Sequence, residues 1–213
     1  MLGFGGADSI SGGDGFDMID GHAGNDTIDA SGGNDTVRGF EDNDVINGGV
    51  GNDDVNGNMG EDTVRGGLNT DIVRGGQGND LVYGDDGDDI HVNGNIGDDV
   101  VYGGDGNDSV FGGQGSDTLY GDFGVDRLSG DLGNDILFGG ESADRFVILA
   151  GGGVDWVGDF SAAEGDRIQL VPGAAYTVEN VGGQAFIGLG GGHGIGLTGV
   201  AFASFTADWV VFA

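Results

Sequence analysis

Residues 103–111 read GGDGNDSVF, and residues 112–120 read GGQGSDTLY. Both fit one nine-residue pattern, G-G-x-G-x-D-x-U-x, in which U is apolar. Upstream, residues 75–83 (GGQGNDLVY) and 12–20 (GGDGFDMID) repeat it. A period of this kind governs the whole architecture, because each unit buries its apolar face only against its neighbours. The phase holds from residue 3 to residue 147, sixteen copies in all. Position six is always Asp: Asp8, Asp17, Asp26, Asp35, Asp44, Asp53, Asp62, Asp71, Asp80, Asp89, Asp99, Asp108, Asp117, Asp126, Asp135 and Asp144. Position eight is apolar, from Ile10, Ile19 and Ile28 through Val101 and Val110 to Leu137 and Phe146. One copy, residues 84–93, is ten residues long, and strict counting puts His91 in the apolar place. A bulge is expected there, with Ile90 or Val92 turned inward.

The pattern resembles the RTX, or hemolysin-type calcium-binding, nonapeptide repeat. That resemblance implies an all-β fold, a right-handed parallel β-roll, which is a β-solenoid with two parallel sheets. It also implies export by a type I secretion machinery, hence a secreted, extracellular or cell-surface protein of a Gram-negative bacterium. Six residues of each copy are expected to form a tight turn and three a short strand. Glycine at positions one, two and four allows positive φ and lets backbone carbonyls converge. The departures at position four are Asp42, Asn69 and Ser142, and Asp and Asn tolerate the left-handed region best after glycine. Two copies complete one coil, so odd and even copies build opposite sheets. Eight strands per sheet at ~4.8 Å spacing give a roll roughly 35 Å long.

The charge is the second constraint. Six basic residues stand against 37 acidic ones, for a formal −31. A compact body so charged repels itself unless cations neutralise it, and the regular Ile, Val and Leu content argues against a disordered acidic tail. Stacked turns bring the position-six carboxylates and loop carbonyls around small cavities. Hard oxygen donors of this kind select Ca²⁺ over Mg²⁺, whose geometry is stricter. Eight turns along each edge leave seven gaps, so about fourteen calcium ions at most. Those ions would nearly cancel the formal charge. The bland alternative, Asp making only Asx-turns, does not explain one residue type at one phase sixteen times.

After Asp144 the period stops. Residues 145–170 resemble the segment that closes RTX rolls, D-x-x-x-D-F…D-x-I-x-L, through Asp155, Asp159, Phe160, Asp166, Ile168 and Leu170. The expected organisation is therefore a β-roll over residues 1–147 and a β-rich capping and secretion-signal region over 148–213. Asp155, Asp159 and Asp166 are candidates for one further calcium site. The end, ADWVVFA, resembles a type I secretion signal.

Several functions lack their residues. No HExxH or G-x-S-x-G stretch occurs, so neither zinc proteolysis nor serine hydrolysis is expected. His22, His91 and His193 have no metal-ligand spacing, and His22, in a turn, is expected to be solvated. No catalytic activity is expected. Position three carries no Thr, against the Thr and Asn loop ladders of ice-binding RTX rolls. Nucleic acid and anionic membrane surfaces suit this charge poorly. No basic leader and no bilayer-length apolar run appears, and cysteine is absent.

Positions seven and nine face outward. In four consecutive odd copies they are Leu81, Tyr83, Val100, Tyr102, Thr118, Tyr120, Ile136 and Phe138. Such a patch should be covered, either by the C-terminal segment folding back or by another subunit. The first coil, starting at Gly3, is expected to offer an open strand edge. Together these features point to a non-catalytic extracellular structural protein. It would be a surface-layer, filament or biofilm-matrix component that self-assembles with calcium as a homo-oligomer, filament or lattice. The alternative is a non-catalytic export and folding module of a larger RTX metalloprotease, lipase or alginate epimerase.

Overall fold

Each nonapeptide supplies the end of one strand and the start of the next. The computed structural model describes residues 1–212. Fourteen six-residue strands follow one another: β1 (Ser9–Asp14), β2 (Met18–Ala23), β3 (Thr27–Gly32), β4 (Thr36–Glu41), β5 (Val45–Val50), β6 (Asp54–Met59), β7 (Thr63–Leu68), β8 (Ile72–Gln77), β9 (Leu81–Asp86), β10 (His91–Ile96), β11 (Val100–Asp105), β12 (Ser109–Gln114), β13 (Thr118–Phe123) and β14 (Arg127–Leu132). Then come β15 (Ile136–Phe138), β16 (Arg145–Ile148), β17 (Val154–Val157), β18 (Arg167–Leu170), β19 (Thr177–Val181), β20 (Gln184–Gly190), β21 (His193–Ala201) and β22 (Val210–Phe212).

Odd strands β1 to β17 form one parallel sheet and even strands β2 to β18 the other. The result is a parallel β-solenoid of about nine turns. The strands are longer than the three residues expected, running from position seven of one copy through position three of the next. The reason lies in the alternation of the pleat. Position eight points inward, and position one, two residues on, points inward again. Apolar residues at position eight from Ile19 to Phe146 are fully buried in one continuous core column.

Backbone conformation corrects one expectation. Positions two and four have positive φ in every copy, but position one does not. Position two carries this conformation even on Phe4, His22, Ser31, Phe40, Asn58, Asp85, Asn95, Asp122 and Asp131. Position four does so on Asp42, Asn69 and Ser142, at φ 72°, 85° and 93°. Glycine is kept at position four for space as well. A Cβ on Gly78, at φ +130°, would strike the Gly60 carbonyl of the preceding turn on that edge. Gly78→Asn should be the milder substitution, since Asn69 holds the equivalent place at φ 85°, but the backbone must shift to make room, at a cost of about 1–2 kcal/mol. Gly78→Val, with a β-branch at positive φ, should cost about 2–3 kcal/mol. Urea melts in calcium measure both, and equal costs would contradict this account.

The ten-residue copy resolves in favour of Val92, which is fully buried, while Ile90 is 59% exposed. The extra residue protrudes between Asp89 and His91, so the ladder stays in register on both sides: His91 pairs with Ile72 and Val92 with Val110.

The segment after residue 147 does not fold back over the aromatic patch. β17 and β21 extend the odd sheet, β18 and β22 extend the even one, and β19–β20–β21 close the odd sheet as antiparallel hairpins. Its apolar residues Val157, Ile168, Leu170, Ile187, Ile195 and Leu197 continue the core. No helix among the described residues is long and apolar enough to cross a membrane.

Candidate metal centre

The sixteen position-six aspartates fall into two columns, one along each edge of the solenoid. Each is held by the same bond. The backbone N–H of Asp62 donates to Asp80 Oδ1 at 2.8 Å, and that of Asp80 to Asp99 Oδ1 at 2.8 Å. On the other edge Asp53 donates to Asp71 at 2.7 Å and Asp71 to Asp89 at 2.8 Å. From Asp26 on, one carboxylate oxygen is thereby fixed by the N–H of the preceding turn. The second oxygen is not. Among the described residues, fifteen of the sixteen, Asp17 being the exception, have a buried Oδ2 with no hydrogen-bond partner. Buried polar atoms are rarely left so, and a whole column of them needs a common explanation.

The position-one glycine shows what surrounds these oxygens. A Cβ on Gly21 would lie 2.5 Å from Asp26 Oδ2 and 2.9 Å from the Gly39 carbonyl oxygen. On Gly48 it would lie 2.7 Å from Asp53 Oδ2 and 2.5 Å from the Gly66 oxygen. Position one is thus small because a carboxylate oxygen and a carbonyl oxygen of the next turn converge beside it. Ala30 is the one larger residue there, and its methyl is fully buried. Among the described residues no three His, Cys, Asp or Glu side chains cluster as a metal site. The donors available to a cation are therefore one carboxylate per turn plus backbone carbonyls. That all-oxygen set fits Ca²⁺ and offers nothing to thiophilic metals.

Electrostatics agree. Burial, aided by neighbouring carboxylates, pushes Asp44, Asp71, Asp80, Asp108, Asp117, Asp135 and Asp144 up to about 7. Burial raises Asp62, Asp89, Asp99 and Asp126 to about 6. These groups titrate near 3.8 when unfolded. A raised folded value means that the metal-free fold binds more protons than the unfolded chain. Its stability is present below pH 4 and is lost as pH rises through 6 to 7. In EDTA the strand signal should therefore be strongest near pH 4 and fall toward neutrality. With calcium the dependence should invert, since protons compete for the same oxygens. A metal-free signal that grows with pH would contradict the buried columns.

The three aspartates of the end segment do not share one site. Asp155 Oδ1 accepts from the Asp135 N–H at 3.2 Å and extends one column. Asp166 Oδ1 accepts from Asp144 at 2.9 Å and extends the other. Asp166 Oδ2 also receives the Ser161 N–H at 2.8 Å, so this last rung is satisfied by the chain itself. Asp159 instead accepts from Gly139 and Gly140, each at 3.0 Å. Besides the closing-segment motif, one feature of the sequence marks Asp155 and Asp166 as rungs of the columns. Asp155-Trp156-Val157 and Asp166-Arg167-Ile168 keep the D-x-U core of the repeat without its glycines.

The histidines play no part in the columns. His22 is not simply solvated: its ring stacks between Phe4 and Phe40 at 6.2 and 5.3 Å. His91 lies against Phe111 at 4.9 Å, and burial lowers its pKa.

The family model for the RTX calcium-binding nonapeptide repeat matches residues 2–37, 38–73, 65–90, 91–119 and 120–157. Among solved structures, the chain is similar to the AlgE6R3 subunit of the Azotobacter vinelandii mannuronan C5-epimerase. The identity is 28%, the TM-score 0.43, and the match covers 55% of this chain and 78% of that one. It is also similar to the extracellular lipase LipA from Serratia marcescens, at 18% identity and TM-score 0.37, over 90% of this chain and 40% of the lipase. No curated protein matches it.

Proposed function

The chain belongs to the RTX calcium-binding nonapeptide repeat family, and from that premise we propose that it is a secreted, non-catalytic protein that folds on calcium outside the cell and serves there as a structural component. The observation that carries the calcium half is the pair of columns of buried, unpartnered Asp Oδ2 atoms. In this reading Asp8 through Asp144 each give one carboxylate oxygen to a gap between turns. Position-six backbone carbonyls stay in the ladder, as with Asp80 accepting from the Val100 N–H at 2.9 Å. Calcium, when bound, supplies the positive charge that the columns lack. About fourteen ions fit the gaps between sixteen turns, with Asp155 and Asp166 as the closing rungs.

The proposed organisation keeps residues 1–147 as the calcium-binding roll and 148–213 as its cap and export region. In a low-calcium cytosol the acidic repeats repel and stay unfolded, which suits passage through a type I secretion channel of a Gram-negative cell. Outside, millimolar calcium exceeds the ~10⁻⁴–10⁻³ M dissociation constants of extracellular modules.

The structural half rests on the odd sheet. Its outer strip of Tyr83, Tyr102, Tyr120 and Phe138 is a continuous stack at 5.0, 4.7 and 5.0 Å. The end segment extends the sheet and does not lie across this strip. Self-assembly into a filament, surface layer or matrix would cover it. Light scattering across a calcium titration tests the reading, with growth in mass expected after folding is complete. A calcium-loaded protein that stays monomeric sinks it, in favour of an export and folding module of a larger enzyme.

A further inference from the structure

Arg38, Arg65, Arg74, Arg127, Arg145 and Arg167 are the only arginines, and the chain has no lysine. Three of them face acids: Arg38 lies 4.0 Å from Asp20, Arg65 2.7 Å from Asp85 and Arg74 2.6 Å from Asp54. The other three stand in one column on the outer face of the even sheet. Arg127 pairs in register with Arg145, and Arg145 with Arg167, on neighbouring strands β14, β16 and β18. Among the described residues none of the three has a carboxylate within ion-pair distance. Arg167 gives one N–H to the Asp166 carbonyl at 2.7 Å, and Arg127 lies 5.4 Å from the Phe111 ring. Arg145 is exposed. Like charges directly opposite on adjacent strands are destabilising. Arg167 also acts on the exposed Asp208 carboxylate, but among the described residues Arg127 and Arg145 have no ion-pair partner, and in a chain of formal charge −31 they leave the column open to an anion.

The opposite face offers one. At the start of the aromatic strip the Arg65 guanidinium lies 3.9 Å over the Tyr83 ring and 2.7 Å from Asp85, two residues along the same strand. This is a complete guanidinium–tyrosine–carboxylate contact. The pattern recurs without its arginine further along the sheet. Asp122 stands two residues past Tyr120, as Asp85 does past Tyr83, and Gly104 lies between them in register. Asp105, three residues past Tyr102, is exposed beside it. Asp105 and Asp122 thus place two carboxylates beside the strip, neither with an ion-pair partner among the described residues.

We propose that the Arg127–Arg145–Arg167 column of one copy docks on the Tyr102–Tyr120 strip of a second copy, its guanidinium groups reaching Asp105 and Asp122. The contact would repeat between molecules what Arg65 does within one. Both columns share the strand spacing of ~4.8 Å, so several pairs can form at once. A free polyanion would satisfy the arginines but leave the aromatic strip uncovered, whereas a second copy serves both. The two faces lie on opposite sheets, so the contact is head-to-tail and leaves the same faces free on the outer members. Such contacts grow open-ended assemblies.

This inference rests on the self-assembly reading above, and its test separates the two. Sedimentation velocity in millimolar calcium compares the wild-type chain with Arg145→Glu and Asp105→Arg. Both positions are exposed, and calcium-dependent circular dichroism checks that each variant folds. Each variant alone is expected to need at least about tenfold more protein for half-assembly. An equimolar mixture should return to within about threefold of wild type, because the new Glu can meet the new Arg. A wild type that never assembles overturns the structural reading and this contact with it. A wild type that assembles while Arg145→Glu does so equally well overturns the contact alone. Two weakened variants without rescue on mixing also overturn the pairing.

Discussion

In EDTA the protein is expected to lose nearly all of its strand signal by circular dichroism at neutral pH, and millimolar calcium is expected to restore it. The columns make this the largest effect. Adjacent buried carboxylates stand one strand spacing apart, ~4.8 Å. At an effective dielectric constant of ~20, two unit charges at that distance repel by about 3 kcal/mol. A handful of such pairs exceeds the ~5–15 kcal/mol net stability of an ordinary domain. Protonation relieves part of this, which is why burial raises carboxyls such as Asp71 and Asp117 toward 7. At pH 7.5 little of that relief remains. The core cannot offset the rest, because it is thin: each coil adds one position-eight side chain from each sheet, such as Val55 and Val64 or Val73 and Val82. Binding energy then becomes folding energy. Strand content indifferent to EDTA at neutral pH would sink coupled folding and binding.

The second large effect is expected from Asp80→Ala. Asp80 lies in mid-column, 3% exposed, and does three things. Its Oδ1 accepts the Asp62 N–H at 2.8 Å, its own N–H donates to Asp99, and its Oδ2 faces the gap. Alanine leaves the buried Asp62 N–H without an acceptor, a loss of about 1–3 kcal/mol, and removes a charged donor from the gaps on either side. The calcium midpoint for folding should rise by about tenfold or more. Asp80→Asn keeps an oxygen for the Asp62 N–H and loses only the charge, so it should fall between alanine and wild type. Asp14→Asn, at an exposed outer position, should leave the midpoint unchanged. Calcium titrations followed by circular dichroism rank the four proteins. An alanine variant indistinguishable from wild type would mean that the column is ornamental.

How far these features were readable depends on whether they are periodic. Position eight announces the core, because an apolar residue at a nine-residue interval can meet its neighbours only by stacking. Position six announces the column, because sixteen aspartates at one phase have no other common reason. Positive φ was expected at positions one, two and four from their glycines, and position one is where that reading failed. Its glycines are kept for space, beside an Asp Oδ2 and a carbonyl of the next turn that the linear chain does not bring together. The ten-residue copy was legible as a fault but not as a choice. Ile90 and Val92 are equally apolar, and Val92 is buried because the ladder on both sides holds the register of His91 and Val92. His22 looked like a solvated turn residue because Phe4 and Phe40 lie eighteen residues away on either side, adjacent only after coiling.

Chemistry and period were thus settled along the chain: a parallel solenoid, an aliphatic core column, and carboxylates brought to its edges. These are local properties multiplied by repetition, and repetition needs no distant information. Three matters were decided only in three dimensions. Which oxygen of each aspartate is bound and which is left free depends on an N–H eighteen residues earlier. Asp155 and Asp166 join different columns and not one site, because intervals of 20 and 22 residues still bring them beneath Asp135 and Asp144. Three arginines from unequal loops become one charged column for the same reason. Stacking converts separations along the chain into a single strand spacing, and only the folded coil shows which separations are made equal.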